Sequence, residues 1–129
     1  MSRTIVVPMA PLEELRVWKS AMDLATAVYG ATLRHPLTKH YRLADQLRGA
    51  AVSVPSNIAE GYGLGTRPQL VRTARLALGS ARELDTQLQI VGRLQLIDEA
   101  ELALLTDLCS AVIGMLVNLL RSLGSHFDH

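Results

Sequence analysis

The sequence predicts an all-α fold, an antiparallel up-down-up-down four-helix bundle. The composition is 49% hydrophobic but only 4% aromatic, and alanine and leucine outnumber β-branched residues, which favours helices over a sheet. Apolar residues recur at helical spacing in four segments, and short connections separate these segments. At 129 residues we expect one domain, with the bundle over residues 11–124, a flexible arm over 1–10 and a flexible tail over 125–129.

The first helix is expected from about Pro11 to Leu33, because His35-Pro36 disfavours further helix. Its apolar stripe follows spacings of 3 and 4 and comprises Leu15, Trp18, Met22, Ala25 and Tyr29. We expect this stripe to face the core.

The second helix is expected to begin near Lys39. Its apolar face comprises Leu43, Leu47, Ala50 and Val54. An interior proline removes one backbone hydrogen bond and clashes with the preceding turn, at about 3 kcal/mol. The sequence therefore predicts a kink or break at Pro55, with Ser53 and Ser56 bonding the backbone that the proline frees. The glycines that follow are expected to end the helix, at Gly61, Gly63 and Gly65.

The third helix has the start signal of a capping box, with Thr66 as cap and Gln69 three residues later. Its predicted seam comprises Leu70, Ala74, Ala77, Ala81, Leu84, Leu88 and Val91. Gly92 is the expected stop.

The fourth helix is expected to begin with Asp98 as cap and Glu101 as its capping-box partner. Its seam comprises Leu102, Leu105, Cys109, Val112, Leu116, Leu119 and Leu123. Gly124 is expected to end the helix.

The fourth helix has more apolar surface than one bundle buries. A second stripe comprises Leu104, Leu108, Ala111 and Met115. A helix that is apolar nearly all round is buried nearly all round, so we expect a homo-oligomer; the alternative is a monomer that exposes this surface. The longest uncharged apolar run, between Asp107 and Arg121, has 13 residues, whereas a membrane span needs about 20. With one cysteine and no disulfide framework, the expected location is the cytoplasm, away from membranes.

The net charge is +1, but the charges are unevenly distributed along the chain. Between Arg34 and Arg82 there are eight basic residues and two acidic residues. Guanidinium groups pair bidentately with phosphate, so this segment suits structured RNA or another nucleic acid; solvated helix faces are the alternative. The candidate phosphate-binding residues are Arg42, Arg48, Arg67, Arg72, Arg75 and Arg82.

No acid–base pair, nucleophile arrangement or metal-ligand spacing stands out, so we expect no enzyme activity, no cofactor and no metal site. The polar pair Asn57 and Glu60 lies three residues apart just after Pro55. We expect Pro55, Asn57 and Glu60 to shape the second helix and to support contacts between subunits.

The segment from Gln46 to Arg48, followed by Ala50-Ala-Val-Ser-Val-Pro-Ser-Asn-Ile-Ala-Glu-Gly61, resembles a family signature. It is similar to that of the four-helix bundle proteins encoded in intervening sequences of bacterial 23S ribosomal RNA genes. Further matches are Leu15-x-Val-Trp18 and Gly79-Ser-Ala-Arg-Glu-Leu84. The resemblance implies a cytoplasmic, non-enzymatic bundle that assembles as a pentamer and associates with RNA. A related branch, the accessory variability determinants of diversity-generating retroelements, binds a reverse transcriptase and nucleic acid.

The chain departs from the family pattern at three positions where relatives often have arginine, namely Gly49, Leu64 and Leu78. If those arginines contact phosphate in relatives, this chain binds nucleic acid more weakly and with a flatter salt dependence. Two functions are therefore expected as alternatives. In the first, the protein is a homo-oligomer, expected to be a pentamer, that binds RNA through a basic face. In the second, it is an adaptor for a protein such as a reverse transcriptase and does not bind RNA directly.

Overall fold

The structure is a computed structural model that describes residues 11–12 and 15–124. These residues form four α-helices and one short 3-10 turn, with no strand among them. The helices are α1 (Arg16–Thr32), α2 (Tyr41–Leu64), α3 (Arg67–Arg93) and α4 (Glu99–Ser122), and the 3-10 turn spans Leu37–Lys39. The predicted arm over 1–10 and the predicted tail over 125–129 lie outside the described residues.

Each helix contacts the next along the chain, and α4 also contacts α1. The four helices thus surround a single core, as the all-α four-helix bundle prediction requires. The largest fully buried side chains include Leu24, Leu47, Leu84, Leu105 and Leu116.

The α1 seam was predicted correctly only in part, since Ala25 is buried and Trp18 packs partly buried against the core. The helix begins at Arg16, and its core side is formed by Val17, Ala21, Leu24 and Val28. By contrast, Met22 is 40% exposed and Tyr29 is 46% exposed. Apolar residues occupy two neighbouring stripes of α1, and spacings of 3 and 4 fit both. Met22 and Tyr29 instead line the surface between α1 and α2.

Pro55 does not break α2, which runs without interruption from Tyr41 to Leu64. The predicted inner face is largely confirmed, since Leu47, Ala50 and Val54 are buried. Of the three glycines expected to end the helix, only Gly65 does so, with a left-handed backbone at φ 74°.

All seven residues of the predicted α3 seam are buried. The predicted capping box of α3 does not form, because the Thr66 side chain makes no capping bond and its Oγ1 is buried without a partner. The Gln69 Oε1 atom instead accepts a hydrogen bond of 2.9 Å from Arg72 Nε. A charged donor one turn away on the same helix competes successfully for the Gln69 amide.

Gly92 does not end α3. The helix runs to Arg93, and the chain turns at Gln95 with φ 55°. The amide of Leu96 donates to Val91 O and that of Gln95 donates to Gly92 O, both at 3.1 Å. This pair of bonds is a Schellman motif with a non-glycine residue in the left-handed position. Gly92 lies against α4, since a Cβ there would require the end of the Leu102 side chain to move.

The Asp98 cap of α4 is confirmed, because its carboxylate accepts hydrogen bonds from the amides of Ala100 at 3.2 Å and Glu101 at 3.3 Å. Glu101 does not complete a capping box; its carboxylate forms an ion pair with Arg34. Gly124 ends the helix as predicted, with φ 78°. The buried side of α4 comprises Leu105, Cys109, Val112, Leu116 and Leu120.

By length and composition alone, α4 is the one helix among the described residues that could cross a membrane, with a mean hydropathy of 1.9 over its most apolar window. The core helix of a soluble protein satisfies the same criterion. In this chain, however, 22% of that window is buried within the bundle, so most of the apolar surface of α4 lies outside the core.

Candidate functional site

Arg48 connects α2 to the end of α1. Its Nε donates to Thr32 Oγ1 at 2.8 Å, its Nη2 donates to Thr32 O at 3.5 Å, and its Nη1 bonds Asp45 at 3.0 Å. The guanidinium carbon also lies 5.2 Å from the centre of the Tyr29 ring. A cation at a helix C-terminus is favoured by the helix dipole. The donors of Arg48 are thus engaged within the chain, which sequence spacing could not show.

Among the polar residues around Pro55, Ser53 contacts α3, whereas Ser56 and Asn57 bond within α2. Ser53 Oγ lies 2.8 Å from Ser80 Oγ, and the Asn57 amide donates to Ser53 O at 2.9 Å and to Ser53 Oγ at 3.0 Å. Ser56 Oγ donates to Val52 O at 2.8 Å. None of these is a bond to Ala51 O, the carbonyl that loses its donor to Pro55. The predicted roles of Ser53 and Ser56 are therefore wrong, because the Ser53 hydroxyl is used between helices and the Ser56 hydroxyl bonds Val52 O.

The closest approach of α2 to α3 is at Gly61. A Cβ there would collide with Thr73 Oγ1 and press on Leu70. The Thr73 hydroxyl has little freedom to move, because it donates to Gln69 O at 3.0 Å and Leu70 O at 3.2 Å. Gly61 thus belongs inside α2 because no larger residue fits. Glu60, the neighbouring carboxylate, is exposed.

A row of arginines occupies the outer side of α3. We define the arginine face as Arg67, Arg72, Arg75, Arg82 and Arg93, all of which are exposed. Arg42 is exposed near the start of α2. The structure thus places four of the six predicted phosphate-binding residues together on α3. The same helix has two acidic residues, Glu83 and Asp85.

Arg93 is the member of the arginine face that the sequence analysis missed. It lies 18 residues after Arg75, which is five turns of an α-helix, so both side chains leave the helix in the same direction. Arg82 lies between them on nearly the same line. From Arg75 to Arg93 the row extends about 27 Å along the helix axis. The spacing of five turns is the signal that could have identified Arg93.

Within the described part of the chain, the bundle exposes an apolar groove and an apolar helix face. The first, the α1–α2 groove, has a volume of about 610 Å³. Its apolar lining includes Trp18, Met22, Tyr29 and Leu33 from α1 and Val52, Pro55 and Ala59 from α2. The second, the α4 outer face, comprises the predicted stripe Leu104, Leu108, Ala111 and Met115. Leu104 is 57% exposed and Ala111 is exposed, while Leu108 and Met115 are partly buried against the core.

The thiol of Cys109 is buried and unreactive. Its thiol donates to Ala81 O at 3.3 Å, and burial, with a smaller contribution from Asp85, raises the pKa of Cys109 to about 12. A thiol that stays protonated is a poor nucleophile. Burial also raises the pKa of Tyr62. Within residues 11–12 and 15–124, no group of three or more His, Cys, Asp or Glu side chains is arranged to hold a metal ion.

Comparison with known proteins identifies the fold and the family. A crystal structure of a protein of unknown function from the S23 ribosomal protein family of Bacteroides thetaiotaomicron VPI-5482 superposes with a TM-score of 0.75. It is 17% identical, and the match covers 81% of this chain and 98% of that one, which supports a common fold. No curated protein sequence matches the chain. The family model described as 23S rRNA-intervening sequence protein matches residues 13–118, so the chain belongs to that family.

Proposed function

We propose that the protein is a non-enzymatic homo-oligomer, a pentamer in keeping with the family resemblance, that binds structured RNA through the arginine face. Arg67, Arg72, Arg75, Arg82 and Arg93 contribute phosphate contacts, and Arg42 adds one from α2. Arg48 is not in this set, since its donors bond Thr32 and Asp45. The proposed protein is cytoplasmic, does not enter membranes, and needs neither cofactor nor metal.

The proposal includes an antiparallel up-down order of helices and a bend of α2 at Pro55. Support for the order comes from two contacts between α2 and α3: Gly61 lies against Thr73, and Ser53 lies against Ser80. Residue numbers fall along α2 as they rise along α3. The bend is supported by the hydrogen bond that Pro55 cannot donate within its helix.

The observation that carries the RNA proposal is the row of exposed arginines on α3. Phosphate contacts dominate the affinity of proteins for nucleic acids, and each one releases counterions. A rod about 27 Å long, from Arg75 to Arg93, reaches several successive phosphates. The arginines stand without an aromatic stacking platform on α3, which favours recognition of backbone and shape over reading of splayed bases.

The test is binding of a structured RNA and of duplex DNA across a salt series, with the particle mass measured in the same buffer. Replacing both Arg82 and Arg93 by Gln should weaken RNA binding and reduce the slope of log K against log salt by about 2, about one for each lost phosphate contact. The matched control is Arg121→Gln, an exposed arginine on α4, which should leave the slope unchanged. Equal slopes for wild type and the double variant would exclude the arginine face as the binding surface.

A second function is favoured by the α1–α2 groove and by the uncharged residues at Gly49, Leu64 and Leu78. In this alternative the protein is an adaptor for another protein, such as a reverse transcriptase, and RNA binding is indirect. Wild-type protein that binds neither RNA nor DNA at low salt would support the adaptor and exclude direct binding.

A further inference from the structure

The bundle has two apolar surfaces that its own helices leave open, and they differ in shape. The α1–α2 groove is a depression of about 610 Å³ between two helices. The α4 outer face is the side of a single helix. The residues that line the groove come from α1 and α2, so the groove and the α4 outer face share no residue.

We propose that the α4 outer face of one copy packs into the α1–α2 groove of the next copy. This inference rests on the homo-oligomer of the proposed function and specifies how its subunits meet. Groove against groove would leave two depressions facing each other, and α4 against α4 would leave every groove open. The unlike pairing covers both apolar surfaces in every subunit with a single kind of contact, and exposed patches of this kind mark interfaces.

Charge favours α4 as the occupant of the groove. Asp107 is exposed between Leu104 and Ala111 on the α4 outer face. On α1, Lys19 is exposed three residues before Met22, which lines the groove. Asp23, one residue after Met22, is exposed too, but helical geometry puts it further round α1 from Met22 than Lys19. The acidic Asp107 thus accompanies the basic Lys19, and complementary charges fix partner and register. The arginine face of α3 has the same sign as Lys19 and is disfavoured as the occupant.

An unlike pairing has a direct consequence for assembly. Each subunit uses one surface to bind the subunit ahead and another to bind the subunit behind. Such a head-to-tail contact forms a ring when its rotation closes. The arginine face takes no part in this contact, so it stays available on every subunit.

The experiment uses two charge substitutions at residues that are exposed in the single chain. Leu104→Glu disables the α4 outer face, and Met22→Glu disables the groove. Leu104 is 57% exposed and Met22 is 40% exposed, so neither substitution buries a charge within the bundle. The matched control is Leu76→Glu on α3, where the leucine is 48% exposed but belongs to neither surface. Circular dichroism verifies the fold, and analytical ultracentrifugation gives the mass.

The expected result is that each variant alone is monomeric, whereas an equimolar mixture forms a one-to-one heterodimer. The dimer forms because the Leu104→Glu chain keeps its groove and the Met22→Glu chain keeps its α4 outer face. Leu76→Glu should keep the mass of the wild type. If only one variant dissociates, or if the mixture stays monomeric, the unlike pairing is wrong while the oligomer stands. A monomeric wild type would overturn the oligomer itself, together with this inference.

Discussion

Replacing Gly61 by Ala should destabilise the bundle although it places a good helix former inside a helix. By propensity alone the change gains about 1 kcal/mol. The new methyl group, however, would collide with Thr73 Oγ1, which is fully buried and held by its bonds to Gln69 O and Leu70 O. Overpacking of this kind costs about 3 kcal/mol when the obstacle cannot swing away. The free energy of unfolding should therefore fall by about 2 kcal/mol.

The measurement is urea denaturation at one fixed protein concentration, because the stability of an oligomer depends on concentration. The matched control is Gly49→Ala in the same helix, where an added Cβ has nothing within 4 Å. That variant should gain stability, up to about 1 kcal/mol. The two alanine variants should thus differ by about 3 kcal/mol, in opposite directions from wild type.

A second substitution identifies the cause. Thr73→Ala removes the hydroxyl that obstructs the new methyl group, so the Gly61→Ala/Thr73→Ala protein should recover about 1–2 kcal/mol of coupling in a double-mutant cycle. If Gly61→Ala behaves like Gly49→Ala, or if the cycle shows no coupling, the close approach of α2 to α3 at Gly61 is refuted.

Three further predictions concern stability. Arg48→Met should lower the free energy of unfolding by about 2 kcal/mol, because charged hydrogen bonds to Thr32 are lost. The control Arg42→Met, at an exposed site, should change the free energy of unfolding by less than about 0.5 kcal/mol, and urea titrations of both variants and the wild type measure these changes. Gln95→Gly should raise the melting temperature and add about 0.5 kcal/mol, since φ is 55° there. The pKa of Cys109 rises from 9.0 to about 12 on folding. Below pH 9.0 its contribution to the free energy of unfolding is complete, and above that pH the contribution declines by at most about 1.4 kcal/mol per pH unit, because the unfolded chain loses the thiol proton first. Cys109→Ala should flatten this decline in pH-dependent denaturation.

The parts of the fold that could be predicted are those encoded by local pattern. The α3 seam was correct because that helix has a single apolar stripe, and the Asp98 cap was correct because its partners lie two and three residues away. In α1, two apolar stripes share the same spacing, so periodicity could not choose between them. The Gln69 half of the capping box failed because the Gln69 side chain bonds Arg72, a preference that the start signal does not contain.

The candidate site was only partly predictable for a related reason. Helical periodicity places Arg72, Arg75 and Arg82 on one side of α3, and extending it by five turns adds Arg93. No such rule applies to Arg48, whose partner Thr32 lies 16 residues earlier in another helix. Whether an arginine faces a ligand or supports the fold depends on tertiary contacts that spacing does not encode.

The contacts of Arg48, Ser53, Asn57 and Gly61 have a consequence for how relatives of this protein should be interpreted. These residues fall within the segment by which the family resemblance is noticed, yet each is engaged with α1, with α3 or within α2. A match to that segment therefore indicates the packing of α2 against α1 and α3. None of these contacts involves the exposed arginines of α3, so the segment carries no information about the charge on that side of the bundle.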